Sequence, residues 1–392
     1  VLGGPEVSYE TDDEPAAACA DVVVCGEGDG VIEELCERLL KTNKVEHILR
    51  PQTPDLSTIE LPYDFYTDED IANRVIYVET SRGCPFRCAY CMSALDTKVR
   101  LFPIEKLLAA FSRLLSRGAR HFKFVDRSFN ILPERAVEIL SFFNENYVEG
   151  LVVHVELVPS SLPAELREVL KNFPKGGLHI EVGVQTFDEA VGKRVGRPFK
   201  SEVVEEALAF LCQETGADVH ADLIVGLPGE TLGSFAKGFD KLVKLGPGEV
   251  QVGILKRLRG APLTKKTEEW QLLFSETTPY EILKTKELEF AEIQVLRRFG
   301  RFFELLHNRG KLPETIKLLM SRGSPYDVVS RVNQWLYKKF GRAHDISLEN
   351  LALALKDFLV IEEQCDEEHV MIRLRKDFER VGRRRRPHWL KK

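Results

Sequence analysis

Nowhere does the chain carry a run of about 18 apolar residues, the length a helix needs to cross a lipid core, so no membrane span and no membrane partner are expected. A charged-then-apolar leader is missing too. The chain opens on Val1 rather than methionine, and "VLGGP" reads as the end of a buried strand running into a turn, so an upstream segment is expected. Neither charge sign dominates: 55 Lys and Arg against 61 Asp and Glu leave a net charge of −6. That excludes a nucleic-acid footprint over the whole chain, although the far end is locally basic. Cysteine is sparse. Eight in 392 residues make no disulfide framework and fit a reducing, cytoplasmic setting. What is plentiful is core material: 44% of the residues are hydrophobic, enough for two or three domains.

Residues 1–47 hold two strand-like segments, Val1–Leu2 and "ADVVVCG", and the helix-like "GVIEELCERLLKT", the remainder of an open α/β domain. Residues 48–73 carry three prolines and several acids and read as a surface linker. From residue 74 to 262 six strand candidates alternate with amphipathic helical stretches: "VIYVET", "HFKFVD", "LVVHVEL", "LHIEVGV", "VHADLIVG" and "EVQVGIL". Such alternation implies parallel strands joined by crossovers. Six units are too few to close an eight-stranded barrel, so a partial (β/α)6 barrel is expected. Residues 263–381, including 280–308, 324–341 and 347–363, read as a helical domain, and 382–392 as a basic, solvated tail.

The stretch "SRGCPFRCAYC" places Cys84, Cys88 and Cys91 just after the first of these strands. Chemistry in a β/α barrel gathers at the carboxyl ends of the strands. A structural zinc site asks for a fourth Cys or His, and no cysteine lies between Cys91 and Cys212. A disulfide strands one thiol. An iron–sulfur cubane held by three thiolates leaves one iron open to an outside ligand. The other five, Cys19, Cys25, Cys36, Cys212 and Cys365, read as small core residues. Polar residues also end the later strands: Asp126, Arg127 and Asn130, then Glu156, Gln185 and Thr186, Asp222, and Lys256 with Arg259. An acid in a buried strand is costly unless paired, so the recurrence points to a polar ligand.

"GCPFRCAYC" resembles the CxxxCxφC motif of the radical S-adenosylmethionine (SAM) superfamily, with Tyr90 as the aromatic residue. The resemblance implies a [4Fe–4S] cluster on Cys84, Cys88 and Cys91, with SAM on the open iron. One electron from the reduced cluster then breaks the C–S bond, giving methionine and a 5′-deoxyadenosyl radical. The strand ends are similar to the oxygen-independent coproporphyrinogen oxidase branch, which implies Glu156, Gln185, Arg197 in "VGRPF" and Asp222 as contacts to the methionine and ribose parts. Ile224 then packs on adenine and Gly226 gives the backbone room to approach. Where many members have Gly-Gly-Glu this chain has "VDRSF", so Asp126 or its backbone is assigned that contact.

"VLGGPEVSYE" and "VCGEGDG" resemble the end of the cobalamin-binding domain of one large subfamily, which implies a corrin against Gly3, Gly4, Gly26 and Gly28; ordinary turn glycines are the alternative. The "KRLRGAPL" and "PYEIL" stretches resemble members with an uncharacterised helical C-terminal domain. The expected function is radical modification of a small-molecule or otherwise unknown substrate, with methyl transfer one outcome, fed by a reductant such as flavodoxin or ferredoxin in the absence of air. The alternative is an iron–sulfur electron-transfer or scaffold protein that never cleaves SAM. An RNA-modifying role lacks an aromatic-and-basic module, and no nucleic-acid partner is expected.

Overall fold

In the computed structural model, which describes residues 1–42, 45–380 and 387–390, the alternating strands form one parallel sheet. Three two-residue strands precede it: β1 (Leu2–Gly3), β2 (Val23–Val24) and β3 (Ile48–Leu49), parallel in that order. β4 (Ile76–Val78) then leads into a short antiparallel ribbon, β5 (Ser81–Arg82) with β6 (Arg100–Leu101). The cysteine loop lies between those two ribbon strands. β7 (His121–Phe124), β8 (Val152–Leu157), β9 (Leu178–Gln185), β10 (Asp218–Val225) and β11 (Glu249–Ile254) complete the sheet. Its order, β4-β7-β8-β9-β10-β11, follows the chain, and every pairing is parallel. The order ends at β4 and β11, so the described strands form the expected partial barrel, open along one side.

Alternation decides which side chains face where. Val153, Val155 and Leu157, then Ile180 and Val182, then Val219, Ala221 and Leu223 are buried toward the connecting helices. Those helices supply Leu107, Phe111, Phe143, Leu166, Leu208 and Phe239 to the same core. Two of these helices show recognisable end chemistry. Pro133 opens Pro133–Glu145 at its first turn, where its missing N–H costs nothing. Thr231 and Ser234 cap Leu232–Leu245 reciprocally, and Gly246 ends it at φ 82°.

The edge strand β11 is covered rather than left bare. The Asn308 amide donates to the Val250 carbonyl at 2.9 Å and accepts from the Val250 N–H at 3.1 Å, imitating a neighbouring strand. Beyond it lies a helical region with its own core around Phe302, Leu336, Leu355 and Phe378. Asp377, fully buried there, accepts from the N–H groups of Glu314 and Thr315 and from the Thr315 hydroxyl, capping Pro313–Met320 from a distance. No helix of the described residues is long and apolar enough to cross a membrane.

Four sequence expectations need correction. The 48–73 segment is no surface linker throughout: Leu56, Tyr63 and Ile71 are buried in the barrel core, and the Tyr63 hydroxyl both accepts from and donates to the Glu79 backbone. Residues 280–284 start no helix. They hold β13 (Ile282–Lys284), which pairs with β12 (Leu273–Phe274), while the Ile282 N–H reaches the Leu255 carbonyl at 2.8 Å. The tail does not simply trail into solvent, since Leu390 is buried and Trp389 lies edge-on to Phe378; 382–386 and 391–392 fall outside the described residues. Cys19 and Cys36 are exposed, not core residues.

Candidate functional site

The cysteine loop is built by close backbone approaches. Gly83 sits at φ 91°, and a β-carbon there would lie 2.3 Å from the Lys98 carbonyl oxygen. The Cys84 N–H donates to the Asp96 carbonyl at 2.9 Å and the Ala89 N–H to Val195 at 2.7 Å. Gly196, at φ 73°, brings its turn against Arg87 with no room for a side chain. All three cysteines are free; Cys84 and Cys88 are buried and Cys91 partly so. Among the described residues no group of three or more His, Cys, Asp or Glu is drawn tightly enough for one metal ion. Three free thiols on one short loop are the donor number a [4Fe–4S] cubane takes when one iron is left to an outside ligand. Burial pushes the Cys88 thiol up, opposed by the Arg197 guanidinium and the Tyr90 hydroxyl.

Asp126 underpins this loop. Its carboxylate is buried and accepts from the Thr80 N–H (3.0 Å), the Thr80 hydroxyl (2.7 Å) and the Ser81 hydroxyl (2.6 Å). With both oxygens occupied it braces the ribbon leading to Cys84, a different job from the ligand contact expected of it. Asn130 is likewise structural, clamping Val158 and Ser161. Gly226, at φ 91°, makes room for Ile282 rather than for a ligand, since a β-carbon there would lie 2.7 Å from that side chain. Arg259 leaves the barrel altogether and pairs with Glu6 and Glu14.

The remaining residues do converge. Glu156, next to last in β8, has its carboxyl pushed up to about 7; burial is the main cause, Glu181 adds to it, and Arg127 opposes it. Asp222 and Arg197 act on the same carboxyl. Arg197 donates to the carbonyls of Gly183 and Val184, tying the end of β9 to the cysteine side. Gln185 stands at φ 71°, left-handed and strained for a residue with a side chain, where the β9–β10 register slips. Its amide folds back over Gly183. Ile224 is partly buried on the same face as Asp222. Just beyond, the Thr186 hydroxyl donates to Glu230 at 2.6 Å, and burial pushes that carboxyl up to about 8.

Three histidines were missed from sequence. His154, His179 and His220 line the same barrel face with Glu181, His154 and His179 rings 4.3 Å apart. The signal was present: "HVE", "HIE" and "HAD" recur on three successive strands, and a spacing of two puts each pair on one face.

The N-terminal strands bring Gly4 (φ 97°) and Gly26 (φ 98°) side by side, with open space where a β-carbon would stand. The Gly26 N–H donates to the Ser8 hydroxyl at 3.0 Å, which donates to the Gly4 carbonyl at 2.7 Å. Gly3 lies in β1 against Val24, and Gly28 has only Val24 nearby. This unit is pinned to the barrel by acids meeting arginines. Glu27 pairs with Arg82 and Arg100, Asp29 with Arg82, Glu10 with Arg257, and Glu14 with Arg259.

Comparison with known proteins follows this layout. Residues 78–242 match the model of the Radical SAM superfamily, and residues 268–392 match a family described only as a protein of unknown function, DUF4080. The uncharacterized methyltransferase PH0819 of Pyrococcus horikoshii is 27% identical over 262 residues, 59% of this chain and 54% of that protein. The ribosomal protein uS12 methylthiotransferase RimO of Clostridium botulinum strain Langeland is 24% identical, covering 70% of this chain and 72% of that one. A RimO of Synechocystis is matched over 48% of its length, so the chain spans about half of two of these curated relatives. The solved structure of OxsB, a cobalamin-dependent SAM radical enzyme, shares the fold at a TM-score of 0.61 and 14% identity, over 97% of this chain and 68% of that one.

Proposed function

We propose, from the premise that residues 78–242 form a radical SAM domain, that this protein is a radical SAM enzyme acting on a small molecule, with methyl transfer assisted by cobalamin as the reaction. The observation that carries the reading is the constellation itself. Three free thiols sit on a glycine-shaped loop at the carboxyl edge of the sheet, beside the lumen face bearing Glu156, Gln185 and Asp222. When bound, a reduced cluster on Cys84, Cys88 and Cys91 supplies the electron that cleaves SAM. The chain's part is to position and to keep water out. Asp126 braces the cysteine ribbon. Arg197 ties the strand end beside Cys88. Glu156 and Asp222 offer carboxylates to an amino group and to ribose hydroxyls, and Ile224 offers an apolar wall.

Cobalamin is supported by the open glycine turns at the ends of β1 and β2, where open α/β domains take their ligands. It is supported also by the likeness of nearly the whole chain to OxsB, whose structure holds aqua-cobalamin and SAM. The PH0819 and RimO names favour transfer of a methyl or methylthio group over other radical outcomes. A carrier of electrons alone has no use for the convergent acids, which disfavours the scaffold alternative. We place the enzyme in the cytoplasm, with a small electron-transfer protein as its reductant. The test is anaerobic reconstitution. About four irons bind per chain, and added SAM alters the electron paramagnetic resonance of the reduced cluster. A spectrum indifferent to SAM contradicts the reading.

A further inference from the structure

The barrel face turned away from the helices is unusual. In a closed barrel this space is filled by branched apolar side chains. Here the paired residues His154 and Glu156, His179 and Glu181, and His220 and Asp222 occupy it on β8, β9 and β10. Register decides who meets whom. His154 lies opposite His179 and Glu156 opposite Glu181, but β10 is displaced by two, so His220 lies opposite Glu181 and Asp222 opposite Gly183. His154 Nε2 reaches Glu181 Oε2 at 3.2 Å in hydrogen-bond geometry. His220 Nε2 stands 3.1 Å from Asp222 Oδ1, close enough to pair, yet poorly angled. Both atoms are buried and neither has another hydrogen-bond partner. Their side chains are only 13% and 15% exposed, so water replaces that contact poorly.

We propose that His220 is a positioning residue for SAM binding: its ring holds the Asp222 carboxylate turned, Oδ1 toward His220 and the second oxygen toward the ligand. The inference rests on the reading of Asp222 as a SAM contact. The groups facing His220 are Glu181 and His179 on β9, Glu249 on β11 and Asp222 on its own strand. Burial works against its charged form, but these carboxylates outweigh it and raise His220 above an ordinary histidine. Around Asp222 stand Glu156 across the lumen, Gln251 on β11, and Gly183 on β9, whose carbonyl is held by Arg197, but the ring 3.1 Å from Oδ1 is that of His220. Without His220 the buried Oδ1 has no partner, and nothing holds the carboxylate turned toward the ligand.

The experiment measures the Kd for SAM on anaerobically reconstituted protein with the cluster oxidised, so nothing turns over, between pH 6 and 8.5. His220→Leu and His220→Gln are compared with the parent as ratios, which cancels the titration of Glu156. The His220→Leu ratio is expected at about tenfold near pH 6, where the parent's imidazolium is present and its charge-assisted contact is lost in the variant, closing toward unity at pH 8.5 as the parent's His220 loses its proton. His220→Gln, which keeps a donor but no charge, falls between. Iron content stays at the parent's value in both and reports that the barrel is folded. A ratio that is flat with pH overturns the inference. Asp222→Asn separates the two readings. If it loses SAM while the His220 ratio stays flat, the pocket stands and the role of His220 falls; if it binds SAM as the parent does, the pocket reading falls and this inference with it.

Discussion

The barrel and the N-terminal unit are held by different forces. The barrel sheet has strands up to eight residues long with a continuous apolar face pressed on helices. The N-terminal unit has strands of two residues and two small clusters, one around Val7, Ala17, Val23 and Cys25, the other around Val22, Val24 and Leu35. That is too little core to fix its placement by packing. Its seat on the barrel is mainly a set of carboxylates against Arg82, Arg100, Arg257 and Arg259, with the Tyr9 ring laid on Gly260. Packing is indifferent to salt, whereas partly exposed ion pairs weaken with it. The lesson is one of division of labour. The proposed radical chemistry is seated in the densely packed part, and the candidate corrin turns ride on a part held mainly by ion pairs. Arg82 joins the two, because it pairs with Glu27 and Asp29 while standing two residues before Cys84.

Four perturbations break or sharpen that contrast. The largest acts on the barrel site: Cys84→Ala, Cys88→Ala or Cys91→Ala takes reconstituted iron from about four to near none, with circular dichroism unchanged. Next is the packed wall. Phe143 is fully buried among Phe111, Phe122 and Phe124, and Phe143→Ala costs about 3–5 kcal/mol in denaturant unfolding, the same at low and high salt. Third is the lumen carboxyl. Glu156 holds its proton up to about pH 7, well above an unfolded glutamate. A folded state that binds the proton more tightly loses stability as pH rises from the unfolded value through about 7. Glu156→Gln removes that loss, so its melting temperature relative to the parent climbs from pH 5 to pH 8. The smallest effect is at the seam. Arg259→Ala leaves Glu14 without its 2.8 Å partner, the two side chains being only 11% and 12% exposed. The cost is about 1–2 kcal/mol, read as faster proteolysis of residues 1–42, and 0.5 M salt in the parent (roughly a 4 Å screening length) reproduces part of it.

Much of this architecture was legible beforehand. The six strands of the sheet and the partial barrel follow from period-two alternation broken by helical stretches, and each expected strand exists with its ends shifted by no more than two residues. The cysteine loop was legible because its chemistry is local. Misreadings fall where the deciding contact is distant. Leu56, Tyr63 and Ile71 sit among prolines and acids that spell surface, and only the barrel wall they meet makes them core. Asp126 and Asp222 look alike as acids at strand ends; one is consumed by Thr80 and Ser81, the other is left facing His220. No local pattern says that Arg259 reaches back across the chain to Glu6 and Glu14. The histidine pairs were overlooked for the opposite reason: each is ordinary alone, and only their recurrence in register makes a layer.

The central claim is that this barrel cleaves SAM rather than merely holding a cluster. The most direct measurement incubates the anaerobically reconstituted, dithionite-reduced protein with SAM and quantifies 5′-deoxyadenosine and methionine by mass spectrometry. The parent is expected to release both in equal amounts, slowly even without substrate, and Cys88→Ala to release neither. A parent loaded with its full complement of iron that releases no 5′-deoxyadenosine contradicts the account and leaves an iron–sulfur carrier in its place.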